Sequence, residues 1–427
     1  MSGGERPRLL GAAVDEALAD ALGEVGASVR GGTVADYIPE LAGADPDAFG
    51  VSIASVLGRV YGAGDAAAEF TIQSASKPFA YAFACDLVGS EAVHRRVGVE
   101  PSGEPFNAIS LDALGRPENP FINAGAIVTT SLVPASDAGE RFARIHDALS
   151  RFAGRELDLD EDVYRSEADT GHRNRALAGL ALAAGSLATA DVDSATDPYF
   201  RQCSLVVTTE DLALMGATLA NGGVHPLTRD RVVSERAARD TLSVMATCGM
   251  YDRSGAWAFR VGMPAKSGVG GGIVAVRPGE FGVGVYSPPL DEAGNSRRGV
   301  AMLEELSDRF GLHMFDHARV PSSPVRSATV DDAARSITLQ LRGELDFLAA
   351  EQVVHDAGRL VQHVDARTLR LDFEDVTLVS GVAEQLLRAT TAAAERAGLV
   401  VESAGAPGAL DPGVSGPGRT LASPGAG

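Results

Sequence analysis

At 427 residues the chain is too long for one ordinary core, and two unequal domains are the expectation. Apolar residues make up 45% and charged residues 22%, the composition of a globular protein able to bury a sizeable interior. A formal net charge of −20 repels phosphate backbones and anionic lipid headgroups, which argues against nucleic acid and membrane surfaces as partners.

The first stretch, MSGGERPRLLGAAVDEALADALGEVGA, interrupts its apolar residues with Asp15, Glu16, Asp20 and Glu24. It predicts an amphipathic helix and lacks the unbroken apolar core of an export signal. No run of eighteen uncharged apolar residues follows anywhere, so no membrane span is expected and the cytoplasm is the expected location. From Ala12 to about Phe315, Ala- and Leu-rich helical stretches alternate with short apolar runs at 49–61, 270–278 and 281–290, which predict strands. Gly279 and Glu280 separate the last two as a hairpin connection, and a helix is expected at about 295–310. Strands at both ends with helices between them predict an α+β domain whose sheet joins early and late segments.

Two prolines and three serines in ARVPSSPVRSA predict a linker at 319–328, closing a first domain of residues 1–318. A second domain, 329–405, shows a strand pattern at 336–346, a helix at about 348–363, a strand at 368–373 and a helix at 381–397. That alternation favours a small α/β layer fold. The Gly-, Pro- and Ser-rich residues 406–427 predict a disordered tail.

Cys85, Cys203 and Cys248 are widely spaced and form no C-x-x-C pair, so buried free thiols are expected in place of disulfides or a zinc site. The lysines are more informative. Of 37 basic residues only two are lysines, Lys77 and Lys266. Arginine stays protonated in proteins, whereas a desolvated lysine can become a neutral base. Lys77 follows Ser74 by three residues in FTIQSASKPF, the S-x-x-K spacing that puts a base one helical turn from a serine hydroxyl. Pro78 is tolerated in a first helical turn, whose N–H groups have no partners to lose. Lys266 opens K-S-G ahead of a glycine-rich strand, similar to the K-T-G strand of penicillin-recognising enzymes, where backbone amides can donate to a developing oxyanion. A lone S-x-x-K is often a solvated helix face; two motifs that together use every lysine in the chain point to catalysis. G-x-S-x-G and H-E-x-x-H are both missing from the sequence.

Several segments in order resemble the serine-dependent glutaminases of the β-lactamase-like fold: VADYIPELA (34–42), FTIQSASKPF (70–79), EPSGEPFNAI (100–109), NPFINAGAI (119–127), SEADTGHRNRALA (166–178), DPYFRQCSLVVTTEDLA (197–213), MYDRSGAWAF (250–259) and PAKSGVGGGI (264–273). The resemblance covers about residues 15–310. It implies a transpeptidase-like catalytic domain with an antiparallel sheet and helices, hydrolysing L-glutamine to L-glutamate and ammonia without cofactor or metal, in a homo-oligomer of two or four chains. It further implies Ser74 as nucleophile, Lys77 as its base and Tyr251 as the proton relay, with the N–H groups of Ser74 and Val269 forming the oxyanion hole. Glu167 would take the substrate ammonium, and Asn123, Asn174, Tyr199 and Tyr37 the carboxylate and pocket wall. Taken alone, Tyr37 and Tyr199 read rather as packing aromatics, Asn123 as a turn residue, and Glu167 as a surface partner of Arg173 or Arg175.

The second domain resembles the sulfate-transporter and anti-sigma-factor-antagonist (STAS) module, a small α/β unit that would offer a site for a regulatory protein or ligand. Its signature is a strand, an Asp-Ser-Ser-Gly-like turn and a helix. In EDVTLVSGVAEQLL (374–387), Ser380 and Gly381 are kept, but Leu378 and Val379 replace the acidic and first serine positions, which weighs against phosphorylation at Ser380. Two rival readings remain: a β-lactam-acylated enzyme, opposed by the missing S-D-N motif, and an inactive regulatory scaffold, opposed by the retained lysine pair.

Overall fold

The computed structural model describes residues 6–102, 111–316 and 323–405. The predicted tail 406–427, residues 319–322 of the predicted linker and residues 103–109 of the EPSGEPFNAI segment lie outside the described residues. Two compact units are present. The larger comprises Ala19–Ser307 with Leu312–Met314; the other gathers the chain up to Leu18, Asp308–Gly311 and the residues from Phe315 on. The predicted amphipathic helix runs Arg6–Ser28, and Leu18, Ala21 and Val25 are buried.

In the larger unit, β1 (Gly50–Ser55), β2 (Val60–Gly64), β3 (Phe70–Thr71), β4 (Val206–Val207), β5 (Ala265–Ser267), β6 (Gly272–Arg277) and β7 (Phe281–Tyr286) form two sheets. Five of them make one antiparallel sheet in the order β2-β1-β7-β6-β5, which joins early and late segments as expected. The single strand predicted over 49–61 is instead a hairpin. The chain turns at Gly58, whose φ of +81° is a conformation glycine adopts without penalty, and returns as β2. The hairpin between β6 and β7 and a helix at Arg297–Phe310 match expectation.

The alternation Phe-Gly-Val-Gly-Val in β7 has a packing reason. A Cβ on Gly282 would sit 2.3 Å from the Ala213 oxygen, and one on Gly284 2.1 Å from the Thr209 oxygen. Helix Thr209–Ala220 therefore lies directly on the backbone of β7, while Phe281, Val283 and Val285 fill the opposite face. β3 and β4 pair as a separate two-stranded ribbon, and Phe70 stacks on Tyr286 of β7 at 4.1 Å between centroids. That contact fixes the segment leading into residue 74 against the main sheet.

In the smaller unit, β8 (Val325–Asp331), β9 (Ser336–Leu345), β10 (Thr368–Val379) and β11 (Val400–Ala404) form a sheet in the order β11-β10-β9-β8. β9, β10 and β11 are parallel and joined through helices Phe347–His363 and Gly381–Arg396, the strand–helix alternation expected of this region. Two strands were not expected. β8 begins at Val325, within the predicted linker, and pairs antiparallel with β9; β11 is a five-residue edge strand. Both edge strands are largely exposed, so neither carries the apolar alternation that marks a buried strand.

Candidate active site

The segment that carries Ser74 is built by a change of backbone geometry. β3 ends at Thr71, the Ile72 N–H bonds to the Leu205 oxygen at 2.8 Å, and Gln73 adopts a φ of +48°. A one-turn 3₁₀ helix, Gln73–Ser76, then leads into helix Lys77–Val88, with Pro78 in its first turn. The α-helix thus starts at Lys77, so Ser74 lies in the turn before it. Lys77 follows that turn directly, and its N–H bonds to the Ser74 oxygen, so the two residues of the S-x-x-K pair are one 3₁₀ turn apart. Ser74 is 7% exposed and Lys77 1% exposed.

Lys77 has no hydrogen-bonded carboxylate among the described residues. Its Nζ donates to Asn123 Oδ1 at 2.7 Å and to the Phe121 carbonyl at 3.2 Å. Burial lowers its pKa to about 8, and the charge of Glu167 restrains that fall. Asn119 prepares this cage by accepting from the Phe121 and Ile122 N–H groups, an Asx turn that presents the Phe121 carbonyl. Asn123 opens helix Asn123–Ser131 at a point where only glycine fits two residues on: a Cβ on Gly125 would lie 1.9 Å from the Asn119 oxygen. From Asn123 the network continues. Its Nδ2 donates to Asn174 Oδ1 at 3.0 Å, and its Oδ1 accepts from the Tyr199 hydroxyl at 3.3 Å.

A second group surrounds Glu167, on helix Glu161–Thr170. It is buried and accepts from the Tyr37 hydroxyl at 2.7 Å, so it is not a surface partner of Arg173 or Arg175; Arg175 pairs with Asp193. Burial raises the Glu167 pKa, and hydrogen bonds from Tyr37 and Gln73 oppose the rise. Tyr37 is 49% exposed on its outer face while its hydroxyl points inward to Glu167 and to Gln73 Oε1 at 3.4 Å.

Tyr251, at φ +54°, donates to the Ser267 carbonyl at 3.1 Å. Burial pushes its pKa up, and a hydrogen bond with the Ser74 side chain opposes that. Lys266 is fully buried beneath it, with Nζ 4.1 Å from the Tyr251 ring centre and 2.5 Å from the same Ser267 carbonyl. Desolvation, and then the charge of Lys77, hold Lys266 well below the usual lysine range. Val269 lies between Gly268 and Gly270. A Cβ on Gly268 would sit 2.9 Å from the Ile72 oxygen and 3.2 Å from the Ala75 nitrogen, and one on Gly270 3.0 Å from the Thr71 oxygen. These glycines let the 268–270 backbone lie against the turn that carries Ser74.

Every predicted site residue therefore falls in the larger unit, around one turn. Sequence reasoning did not single out Gln73, Ser76 or Gln202, all buried beside Ser74. The left-handed backbone of Gln73 has no sequence signal, since glutamine is not a residue that favours it. The three cysteines are buried free thiols, and burial pushes Cys203, behind Tyr199, up to about 12.

The glutaminase family model matches residues 32–315, a stretch that contains every group just described. The chain belongs to the glutaminase family. It is an enzyme of the class that hydrolyses glutamine to glutamate. It is similar to a glutaminase of Trichormus variabilis, 52% identical over 294 residues, which are 69% of this chain and 88% of that one. It is also similar to Glutaminase 1 of Bradyrhizobium diazoefficiens, 51% identical over 301 residues; these are 70% of this chain, which spans about half (48%) of that longer relative. Among solved structures, Mglu in its glutamate form aligns with a TM-score of 0.70 at 39% identity, covering 92% of this chain and 98% of Mglu. The α+β fold with an antiparallel sheet and helices is shared with these neighbours.

Proposed function

We propose that the chain hydrolyses the side-chain amide of L-glutamine through an acyl-enzyme on Ser74, with Lys77 as the base. The observation that carries this reading is the Lys77 amine: buried, caged by neutral oxygens, lowered to about 8, on a residue one 3₁₀ turn from Ser74. Neutral Lys77 takes the hydroxyl proton as Ser74 Oγ bonds to the amide carbon. The carbonyl oxygen becomes an oxyanion held by the N–H groups of Ser74 and Val269. Collapse breaks the C–N bond, and the proton passes through Lys77 and Tyr251 to the departing ammonia. Water then attacks the ester by the reverse proton path, releasing glutamate and restoring Ser74.

The substrate has an ammonium and a carboxylate to be recognised. Glu167 supplies the acid for the first; Asn123, Asn174, Tyr199 and Tyr37 supply neutral donors for the second and the pocket wall. Mglu has been crystallised in a glutamate form, which agrees with a product of this shape. The smaller unit reads as a STAS-like module carrying a regulatory ligand or partner site, a reading supported by its β9–helix–β10–helix–β11 alternation. A cytoplasmic location fits the three unpaired thiols, which suit a reducing compartment; the homo-oligomer rests on the family resemblance alone.

The test is ammonia release from L-glutamine by the full chain and by Ser74→Ala, with L-asparagine and a chromogenic β-lactam in parallel. Glutamine turnover lost in the variant supports the reading. Turnover of β-lactam alone moves the site to the penicillin-recognising enzymes, and silence on all substrates favours a scaffold.

A further inference from the structure

The Gln73–Ser74 peptide carries both the Gln73 carbonyl and the Ser74 N–H. In a trans peptide these two groups point in opposite directions, so whatever fixes the carbonyl also aims the N–H. The Gln73 carbonyl accepts from Ser76 Oγ at 2.7 Å, and Ser76 Oγ accepts from Gln202 Nε2 at 2.9 Å. Both side chains are buried, Ser76 at 0% and Gln202 at 1% exposure. The Gln202 amide is a demanding group to keep there, because its Oε1 makes no hydrogen bond among the described residues. What it does is directional. An N–H donated into the Ser76 oxygen leaves the Ser76 proton to go to Gln73, and the neighbouring Cys203, held as a neutral thiol by burial, offers no anion to divert it. The turn needs such a restraint, since Gln73 sits at φ +48°, disfavoured for a residue with a side chain.

We propose that Gln202, acting through Ser76, is a positioning residue that locks the Gln73–Ser74 peptide so that the Ser74 N–H faces the oxyanion. This rests on the reading of Ser74 as nucleophile and oxyanion donor. Helix Asp193–Cys203 would then serve the site twice, with Tyr199 lining the pocket and Gln202 holding the nucleophile turn from behind. An oxyanion donor acts on the transition state and not on bound substrate, so its misalignment lowers kcat and spares KM.

The experiment compares Ser76→Ala, Ser76→Thr, Gln202→Leu and the double variant Ser76→Ala/Gln202→Leu in the full chain, with Ser74→Ala as reference. Each is followed by glutamine kinetics and thermal melting. Ser76→Ala lowers kcat by about 10- to 100-fold, the scale of a small misplacement of a catalytic group, at nearly constant KM. Ser76→Thr, which keeps a hydroxyl, recovers kcat. The double variant regains melting temperature, because the stranded Gln202 amide is gone, but not kcat. Recovery of kcat in the double variant overturns the proposal, since the loss then came from the stranded amide; so does wild-type kcat in Ser76→Ala. If Ser76→Ala does not fold, Gln202→Leu decides: a several-fold loss of kcat at constant KM supports the proposal and unchanged kcat overturns it. Turnover persisting in Ser74→Ala would remove the nucleophile reading itself, a failure distinct from any result at positions 76 and 202.

Discussion

Ser74 and Ser380 each lie in the entry to a helix, and their surroundings differ completely. Ser380 precedes helix Gly381–Arg396 with extended backbone, φ −69° and ψ 157°, and its Oγ accepts from the Ala383 N–H at 3.3 Å. It is an ordinary N-cap, its oxygen occupied by one of the helix's unpaired donors. Ser74 enters its helix through a 3₁₀ turn and follows a left-handed Gln73. Position three after Ser380 is Ala383, whereas position three after Ser74 is a buried lysine. A cap uses the hydroxyl as an acceptor for stability; a nucleophile needs its oxygen left to substrate and its proton drawn by a base. The neighbouring backbone and the residue one turn on decide which role a serine takes.

The largest effect that can break this comparison is at Lys77. Lys77→Arg keeps the positive charge but supplies no base, so glutamine turnover falls by about 10²- to 10⁴-fold, the range contributed by a general base. Steady-state ammonia release measures it, and a variant within a few-fold of the parent would remove Lys77 from the proton path. The same group sets a pH profile. As the proposed base Lys77 must be neutral, and burial lowers its pKa to about 8, so the expected kcat/KM climbs about tenfold per pH unit below that value and levels off above it. A flat acid limb from pH 6 to 8 would contradict the assignment. Next in size is Glu167→Gln. The amide oxygen still accepts from Tyr37, but the charge-assisted bond to a substrate ammonium is lost, worth about 1.5–3 kcal/mol. kcat/KM falls about 10- to 100-fold, carried mainly by KM. An unchanged KM would place the ammonium elsewhere.

Much of this candidate site was legible because the residues that mark it are local in sequence. The S-x-x-K spacing, the scarcity of lysine and the K-S-G strand are all visible without coordinates, and the five-stranded sheet follows from apolar runs at 270–278 and 281–290. The parts that were not legible depend on contacts distant in sequence or on backbone angles. Gln202 meets Ser76 across 126 positions, and Gln73 owes its φ to surroundings that no local propensity encodes. The hairpin at Gly58 was hidden because Val56 and Leu57 extend the apolar run through the turn. β8 and β11 escaped because exposed edge strands lack the alternation from which buried strands are read. In the smaller unit the position of Ser380 was expected from its motif, but its use as a plain cap followed only from the bond to Ala383.

The smallest effect sharpens the contrast from the other side. Ser380→Ala removes one side-chain acceptor from the first turn of a sixteen-residue helix, a loss of about 1 kcal/mol at a typical N-cap. For a unit of this size that lowers the melting transition by about 4–8 °C. Ser380→Asp, which also caps well and adds a charge favourable to the helix N-terminus, restores most of it. Neither change alters kcat for glutamine if the two serines have the separate roles described. Calorimetry on the full chain resolves the transition, and ammonia release supplies the second reading. A change in kcat at undiminished stability would show that the smaller unit communicates with the Ser74 site, and Ser380 would then be more than a cap.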